Sequence, residues 1–374
     1  MDGLRAGIEN MLRRCAGLHP GQTVLILSET GDAGYYDAGL ADAVADVAAR
    51  NGMEVRAQAL PFTPHAEPPP PEVMEAMRRA DATVFLSRRG DQLRFDPIMA
   101  ESAPVICYAL DRGMMASSFG TADHRGLVAL MECVNGALAA AGHIRVTCPL
   151  GTDFDGPGAR FPDTAGEVTI RRFPLSVFSP VPTEAYRGTI ALAGFIPGSG
   201  RTYYSPHHLP LEDVLRVRFE GTRVTGFDGP DAVQAGEHFD RVGRLLRIDP
   251  RYLHSWHAGI HPGCGYDMAA WDSPARWSGG AFGNPRVLHF HACGAFAPGE
   301  ISLNVIDPTI TLDGVAVWQD GCLHPERIAG GAEVLARFPC LAAAFAAPAR
   351  ALGLTADGRL SAYPDAFPGR ALSA

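Results

Sequence analysis

The sequence predicts an α/β protein in two parts: an N-terminal doubly wound domain on a parallel sheet, then a mixed, β-rich α+β domain that carries the site. Three observations predict it. Up to about residue 142, continuous apolar runs alternate with amphipathic helical stretches. From residue 143, short strand-like runs are separated by Gly, Asp and Pro turns. The length, 374 residues, exceeds what one ordinary hydrophobic core organises. The expected domains are therefore 1–142 and 143–374.

The opening stretch, MDGLRAGIENMLRRCAGL, reads as an amphipathic helix with charges throughout, unlike the unbroken apolar segment of a signal peptide. TVLILS, MEVRAQAL, ATVFLS and PVICYAL follow as strands. They are apolar on both faces, as strands of a parallel sheet covered by helices on each side must be. LADAVADVAARNG and EVMEAMRRA supply helices between them. The first strand-to-helix turn, SETGDAGYYDAG, lacks GxGxxG, so no dinucleotide site is expected. PFTPHAEPPPPEV, with Pro68–Pro71, should cross the surface in extended form. After a helix ending near Ala141, the strands are GTIALAG, a hairpin in LRVRFEGTRVTGFDG, RVLHFHACG, EISLNVIDPTITLDG and VAVWQDG, with a helix over Asp231–Leu246. A helical stretch from PERIAGGAEVLARF closes the chain, and the end after Gly353 is expected to be loose.

Composition narrows the function classes. A net charge of −9 with no Lys/Arg run excludes a basic face for nucleic acid or anionic membrane, leaving a small-molecule partner. The eight cysteines are scattered without CxxC, reading as buried thiols of a reducing compartment. With no apolar run long enough to span a bilayer, the expectation is a cytoplasmic protein.

Thirteen histidines carry the chemical signal, because those of the second half fall in short clusters. HSWHAGIHPG holds His254, His257 and His261; YYSPHHLP holds His207 and His208; HFHACG holds His289 and His291, with Glu300 and Asp307 downstream. On a strand, residues two apart share a face, so His289 and His291 would line one surface. Imidazole with carboxylate is the ligand set of Zn(II) or non-haem Fe(II). His- and Gly-rich loops also bind anions without metal. A serine-hydrolase elbow, GxSxG, is absent, and Cys293 beside His291 reads as a buried thiol.

The motifs LRRCAGLHPGQTVLIL, IRVTCPLGTDFDG, GFIPGSGRTYYSP, VRFEGTRVTGFDG, HAGIHPG, HFHACG and DPTITLDG resemble, in the same order, those of the aminopeptidase T family. Its superfamily contains dinuclear metallo-aminopeptidases and a mononuclear iron enzyme, 2,5-dihydroxypyridine 5,6-dioxygenase. The resemblance implies a homodimer and assigns residues. Arg201 stands where the peptidases have a metal-binding glutamate, which disfavours two metals. His257 resembles the dioxygenase's histidine, and His291 falls at the peptidases' histidine. Counting back from Asp313 puts Glu300 at the remaining ligand position, with Asn304 or Asp307 as alternatives. His257, His291 and Glu300 would then hold one Fe(II), or Zn(II) or another divalent ion. His289 would stand behind the metal, one pleat away, and Arg201, Tyr203 and His207 would face substrate. The expected function is an Fe(II) dioxygenase using O2 on a small hydroxylated aromatic or heteroaromatic compound. A metallo-hydrolase and a metal-free member of the fold are the alternatives.

Overall fold

The computed structural model describes residues 3–31, 34–161, 170–292 and 300–354. The N-terminal sheet is parallel throughout, in the order 54–61, 23–30, 82–86, 104–107, 171–173. Its central strands are buried on both faces, which is why they read as unbroken apolar runs. Val24, Ile26, Val84, Leu86 and Val105 pack on one side against the N-terminal helix and the helix Leu40–Arg50. Leu25, Leu27 and Phe85 pack on the other against Val73 and Met77 of the helix Pro71–Arg79. Helices on both faces make the sheet doubly wound, as expected.

The second half forms three antiparallel sheets, the smallest pairing Phe195–Pro197 with His208–Pro210. Eight strands run in the order 223–228, 215–220, 187–192, 153–156, 144–147, 309–312, 315–319, 322–323. Four more run in the order 301–306, 287–292, 253–258, 181–182. Trp256, Leu288, Phe290, Leu303 and Val305 face Phe154, Ile190, Val217 and Phe219 of the larger sheet across one continuous core. Phe154 is its hub, edge-on to Tyr186, Phe219, Trp256 and Phe290 at ring-centre distances of 5.1–6.3 Å. The predicted hairpin is present, with Leu215–Glu220 paired to Arg223–Asp228.

The two parts interlock across the expected boundary at 142/143. The helix His124–Ala140 precedes it, yet its apolar stripe of Leu127, Leu130, Val134 and Leu138 packs into the antiparallel core. Conversely, Arg171–Phe173 lies beyond the boundary but adds the edge strand of the parallel sheet, beside Pro104–Cys107. This exchange sets the C-terminal ends of the parallel strands against the four-stranded sheet. The predicted loose end after Gly353 falls largely outside the described residues, as does Cys293. Among the described residues, no helix is long and apolar enough to cross a membrane.

Phe154→Ala should cost about 3–5 kcal/mol, because four aromatic partners lose their shared contact and the rigid sheets cannot close the void. The check is a urea unfolding curve. A loss below about 1 kcal/mol would show that this core can collapse around the gap.

Candidate metal centre

Three histidines meet on the face of the four-stranded sheet that points away from the Trp256/Phe290 core. Strand alternation dictates this: Trp256 and Phe290 enter the core, so Ser255, His257, His289 and His291 face the other way. The register then closes the group. His257 lies directly opposite His289, and Ser255 opposite His291, on adjacent antiparallel strands. On the far side of the histidine strand, Asn304 and Ser302 lie opposite His289 and His291. Gly259 follows this strand closely, and a Cβ there would stand 2.1 Å from the Asn284 carbonyl oxygen, so only glycine fits.

One ligand atom from each of His257, His289 and His291 lies within 4.8 Å of the others, the one such group of His, Cys, Asp and Glu among the described residues. His257 Nε2 is 2.7 Å from His289 Nε2. The ring centres of His289 and His291 are 5.1 Å apart, closer than one pleat, because the rings converge. The fold thus brings a ring nitrogen of His289 as close to the group as those of His257 and His291.

A hydrogen bond assigns the proton of one ring. His257 Nδ1 is 3.0 Å from the Phe178 carbonyl oxygen, which can only accept, so Nδ1 carries the hydrogen and Nε2 a lone pair turned toward the group. His291 Nδ1 contacts Ser255 Oγ at 3.0 Å, and that hydroxyl also meets His254 Nδ1 at 3.0 Å. A hydroxyl with one proton can accept from His291 while donating to His254, which would leave His291 Nε2 with its lone pair. His289 Nδ1 is buried without a partner, beneath the Phe282 ring at 4.2 Å. Burial holds all three imidazoles neutral: His257 is pushed down to about 3, and His289 and His291 lie well below the ordinary imidazole range, the neighbouring imidazoles adding to the effect. Clustered, buried, neutral nitrogen donors with Nδ1 anchors on two of them fit a divalent cation.

The group opens into a cavity whose opposite wall comes from the parallel sheet. Tyr35, Asp91, Arg94, Tyr108, Phe119 and Arg172 line it on or beside that sheet, together with Tyr203, His207, Phe282 and Ser302. Tyr203 stacks on His207, centres 4.7 Å apart and planes 21° apart, and the His207 imidazole is pushed down to about 4 by burial. Of the expected site residues, the fold thus brings together His257, His289, His291, Tyr203 and His207.

Two expected residues, Glu300 and Arg201, lie outside this group and its cavity lining. Glu300 is not in the imidazole group and does not line the cavity. Burial pushes its carboxyl up to about 8, against the lowering influence of Arg201 and Arg94. Its backbone carbonyl instead accepts from the Tyr204 hydroxyl at 2.9 Å. Arg201 is exposed and also outside the lining, although Gly198, Ser199 and Gly200 just before it line the cavity. Of the alternatives, Asp307 is committed to a buried two-pronged pair with Arg286 at 2.6 and 2.7 Å. Asn304 accepts from Ser302 at 2.9 Å. Sequence reasoning missed Arg94 and Arg172. The available signal was position, since ligands of open α/β sheets bind outside the C-terminal ends of parallel strands, where RRGDQLR follows ATVFLS.

No protein-family model and no curated protein matches the chain. Among solved structures, 2,5-dihydroxypyridine dioxygenase from Pseudomonas putida KT2440 matches with a TM-score of 0.59 at 17% identity, over 86% of this chain and 96% of that one. AmpT from Thermus thermophilus matches with a TM-score of 0.47 at 12% identity, over 82% and 94%. The chain has the fold of the dioxygenase structure, in agreement with the resemblance carried by the sequence motifs.

Alanine at His257, His289 or His291 should each strip bound metal, whereas Glu300→Gln should retain it, as read by elemental analysis of the purified variants. Full metal content in His289→Ala would return that residue to a supporting position. Acid should also destabilise the fold. His257 and His261 are held near 3, and His124, His207 and His238 near 4, all by burial, so below about pH 6.5 the unfolded chain takes up protons that the folded one refuses. Stability must then fall as pH drops from 6.5 toward 4, by about 1.4 kcal/mol per pH unit for each such ring. Urea midpoints measured at pH 7.5 and pH 5 test this, and equal midpoints would contradict it.

Proposed function

We propose that this chain is a mononuclear, metal-dependent dioxygenase that acts with O2 on a small hydroxylated aromatic or heteroaromatic compound, with Fe(II) held by His257, His289 and His291. The observation that carries the proposal is the one cluster of three imidazoles among the described residues, opening onto an aromatic-lined cavity. When bound there, Fe(II) would supply the one-electron chemistry that lets O2 react with a closed-shell organic molecule. The chain's own groups do the rest. Tyr35, Tyr108, Phe119, Tyr203 and Phe282 offer ring faces and edges to a flat substrate and exclude water around it. His207, neutral at pH 7 and with a buried Nδ1 lacking a partner, is the group available to take a proton from a substrate hydroxyl.

The dinuclear hydrolase alternative lacks support at the cavity. Two adjacent cations need carboxylates around them, and among the described residues the candidate ligand group contains three imidazoles and no carboxylate. An all-nitrogen donor set also suits Zn(II), which would supply hydrolytic chemistry from the same three residues. Mononuclear zinc hydrolysis is therefore the second reading.

The test is elemental analysis of protein purified anaerobically without chelator, followed by oxygen-electrode assays on dihydroxypyridines and dihydroxybenzenes. The proposal expects about one iron per chain and O2 consumption that stops when the iron is removed. Two metals per chain would favour the dinuclear hydrolase. One tightly held zinc with no oxygen uptake would favour the second reading, and protein that takes up no metal would leave a metal-free member of the fold.

A further inference from the structure

A fourth imidazole, His207, lines the cavity outside the group of three. Its ring is placed differently from theirs. The Phe178 carbonyl and the Ser255 hydroxyl hold His257 and His291 by their Nδ1 atoms. An imidazole at a working site is ordinarily oriented in this way, by a hydrogen bond to one nitrogen. His207 Nδ1 is buried with no such partner. Packing must therefore supply the orientation.

Strand register supplies one side of it. In the smallest sheet Pro197 lies opposite His208, and the Gly198 N–H donates to the His207 carbonyl at 2.6 Å, which carries the pairing one step further. Gly198 is thereby set across from His207. A Cβ on Gly198 would stand 2.7 Å from His207 Nδ1 and 2.9 Å from Nε2, and nearer still to Cε1. Gly198 is not among the residues with positive φ, so its backbone would accept any side chain. The imidazole, and not the turn, is what requires glycine there. The ring face is covered by Tyr203, stacked with centres 4.7 Å and planes 21° apart. Tyr203 is itself anchored in the parallel-sheet part: its N–H donates to the Pro64 carbonyl at 2.8 Å, and its ring stands edge-on to Phe62 at 5.3 Å. The buried Arg88 guanidinium packs on both rings, 3.5 Å from the centre of Phe62 and 4.9 Å from that of Tyr203.

We propose that Gly198 and Tyr203 are positioning residues that clamp His207, the one at its nitrogen edge and the other on its ring face. A hydrogen bond from the protein would fix one tautomer and occupy one nitrogen. A clamp built from packing fixes the plane of the ring and leaves the proton free to change place. His207 can then take the proton of a substrate hydroxyl at a ring nitrogen, the electron pair staying on the substrate oxygen. That use of the clamp rests on the reaction proposed above; the clamp itself does not.

Two measurements on the full chain test the clamp without any assay of activity. In protein carrying 13C at histidine Cε1, the His207 signal is identified by its loss in His207→Gln, and the stacked ring should hold its Cε1–H resonance upfield. Tyr203→Phe should keep that position and Tyr203→Leu should lose it. Urea midpoints give the second measurement. Gly198→Ala should lower the midpoint in the wild-type background and lower it far less in a His207→Ala background, because the ring it displaces is then gone. Should Gly198→Ala alone not fold, recovery of folding in the double variant gives the same answer. An unchanged His207 resonance in Tyr203→Leu, or an equal loss from Gly198→Ala in both backgrounds, overturns the proposal. Oxygen uptake tests the catalytic use. Turnover in Gly198→Ala and Tyr203→Leu should fall by about 10- to 100-fold with metal content retained, and Tyr203→Phe should recover part of it. Wild-type turnover in both would refute that use. A wild-type chain that consumes no oxygen on any of the phenolic substrates refutes the proposed reaction, while the resonance and the midpoints still decide the clamp.

Discussion

Everything at the site depends on one pairing: the antiparallel register that sets His257 directly opposite His289. Because side chains alternate along a strand, that register commits Trp256 and Phe290 to the core and the imidazoles to the other face at once. A slip of one residue would bury the imidazoles among the aromatic rings of Phe154 and Phe219 and turn two aromatic side chains into the cavity. The large apolar core therefore enforces the polar site. The energy that holds Trp256 and Phe290 inward is what keeps three imidazoles together without a carboxylate among them.

That arrangement has an electrostatic cost which the site turns to use. Imidazoles packed this closely and this deeply cannot be protonated, since each cation would lose its hydration and repel its neighbours. Burial and mutual repulsion hold all three toward the neutral form, in which a ring nitrogen keeps its lone pair. The Phe178 carbonyl and the Ser255 hydroxyl fix two rings by their Nδ1 atoms, turning the other nitrogens into the group. Arg94 and Arg172 line the same cavity.

Much of the fold was legible because its strands announce their burial. TVLILS and ATVFLS are apolar on both faces, as a helix-covered parallel sheet requires, and LRVRFEGTRVTGFDG shows its turn. The interlocking of the two parts was not, because RRF is three residues with two arginines and carries no strand pattern of its own. At the site, the three histidines were legible as clusters, but the role of His289 was not. Considered on a single strand it sits a pleat from His291; only the partner strand shows that His257 bridges the gap. Glu300 was reached by counting back from a turn, and counting takes no account of which side chains reach the cavity. Ser302, two residues on and opposite His291, is the one that lines it. Arg94 and Arg172 lie far from every histidine motif in sequence, and only the fold brings them to the chamber.

The central claim is that His257, His289 and His291 act as one cation-binding unit. Anomalous scattering from crystals grown with Fe(II) or Zn(II), recorded above and below the metal edge, tests it most directly. The account predicts one anomalous peak per chain, in contact with all three imidazoles and with no carboxylate of the described residues. A peak ligated by Glu300, or a second peak beside the first, or none between the three rings, would contradict it.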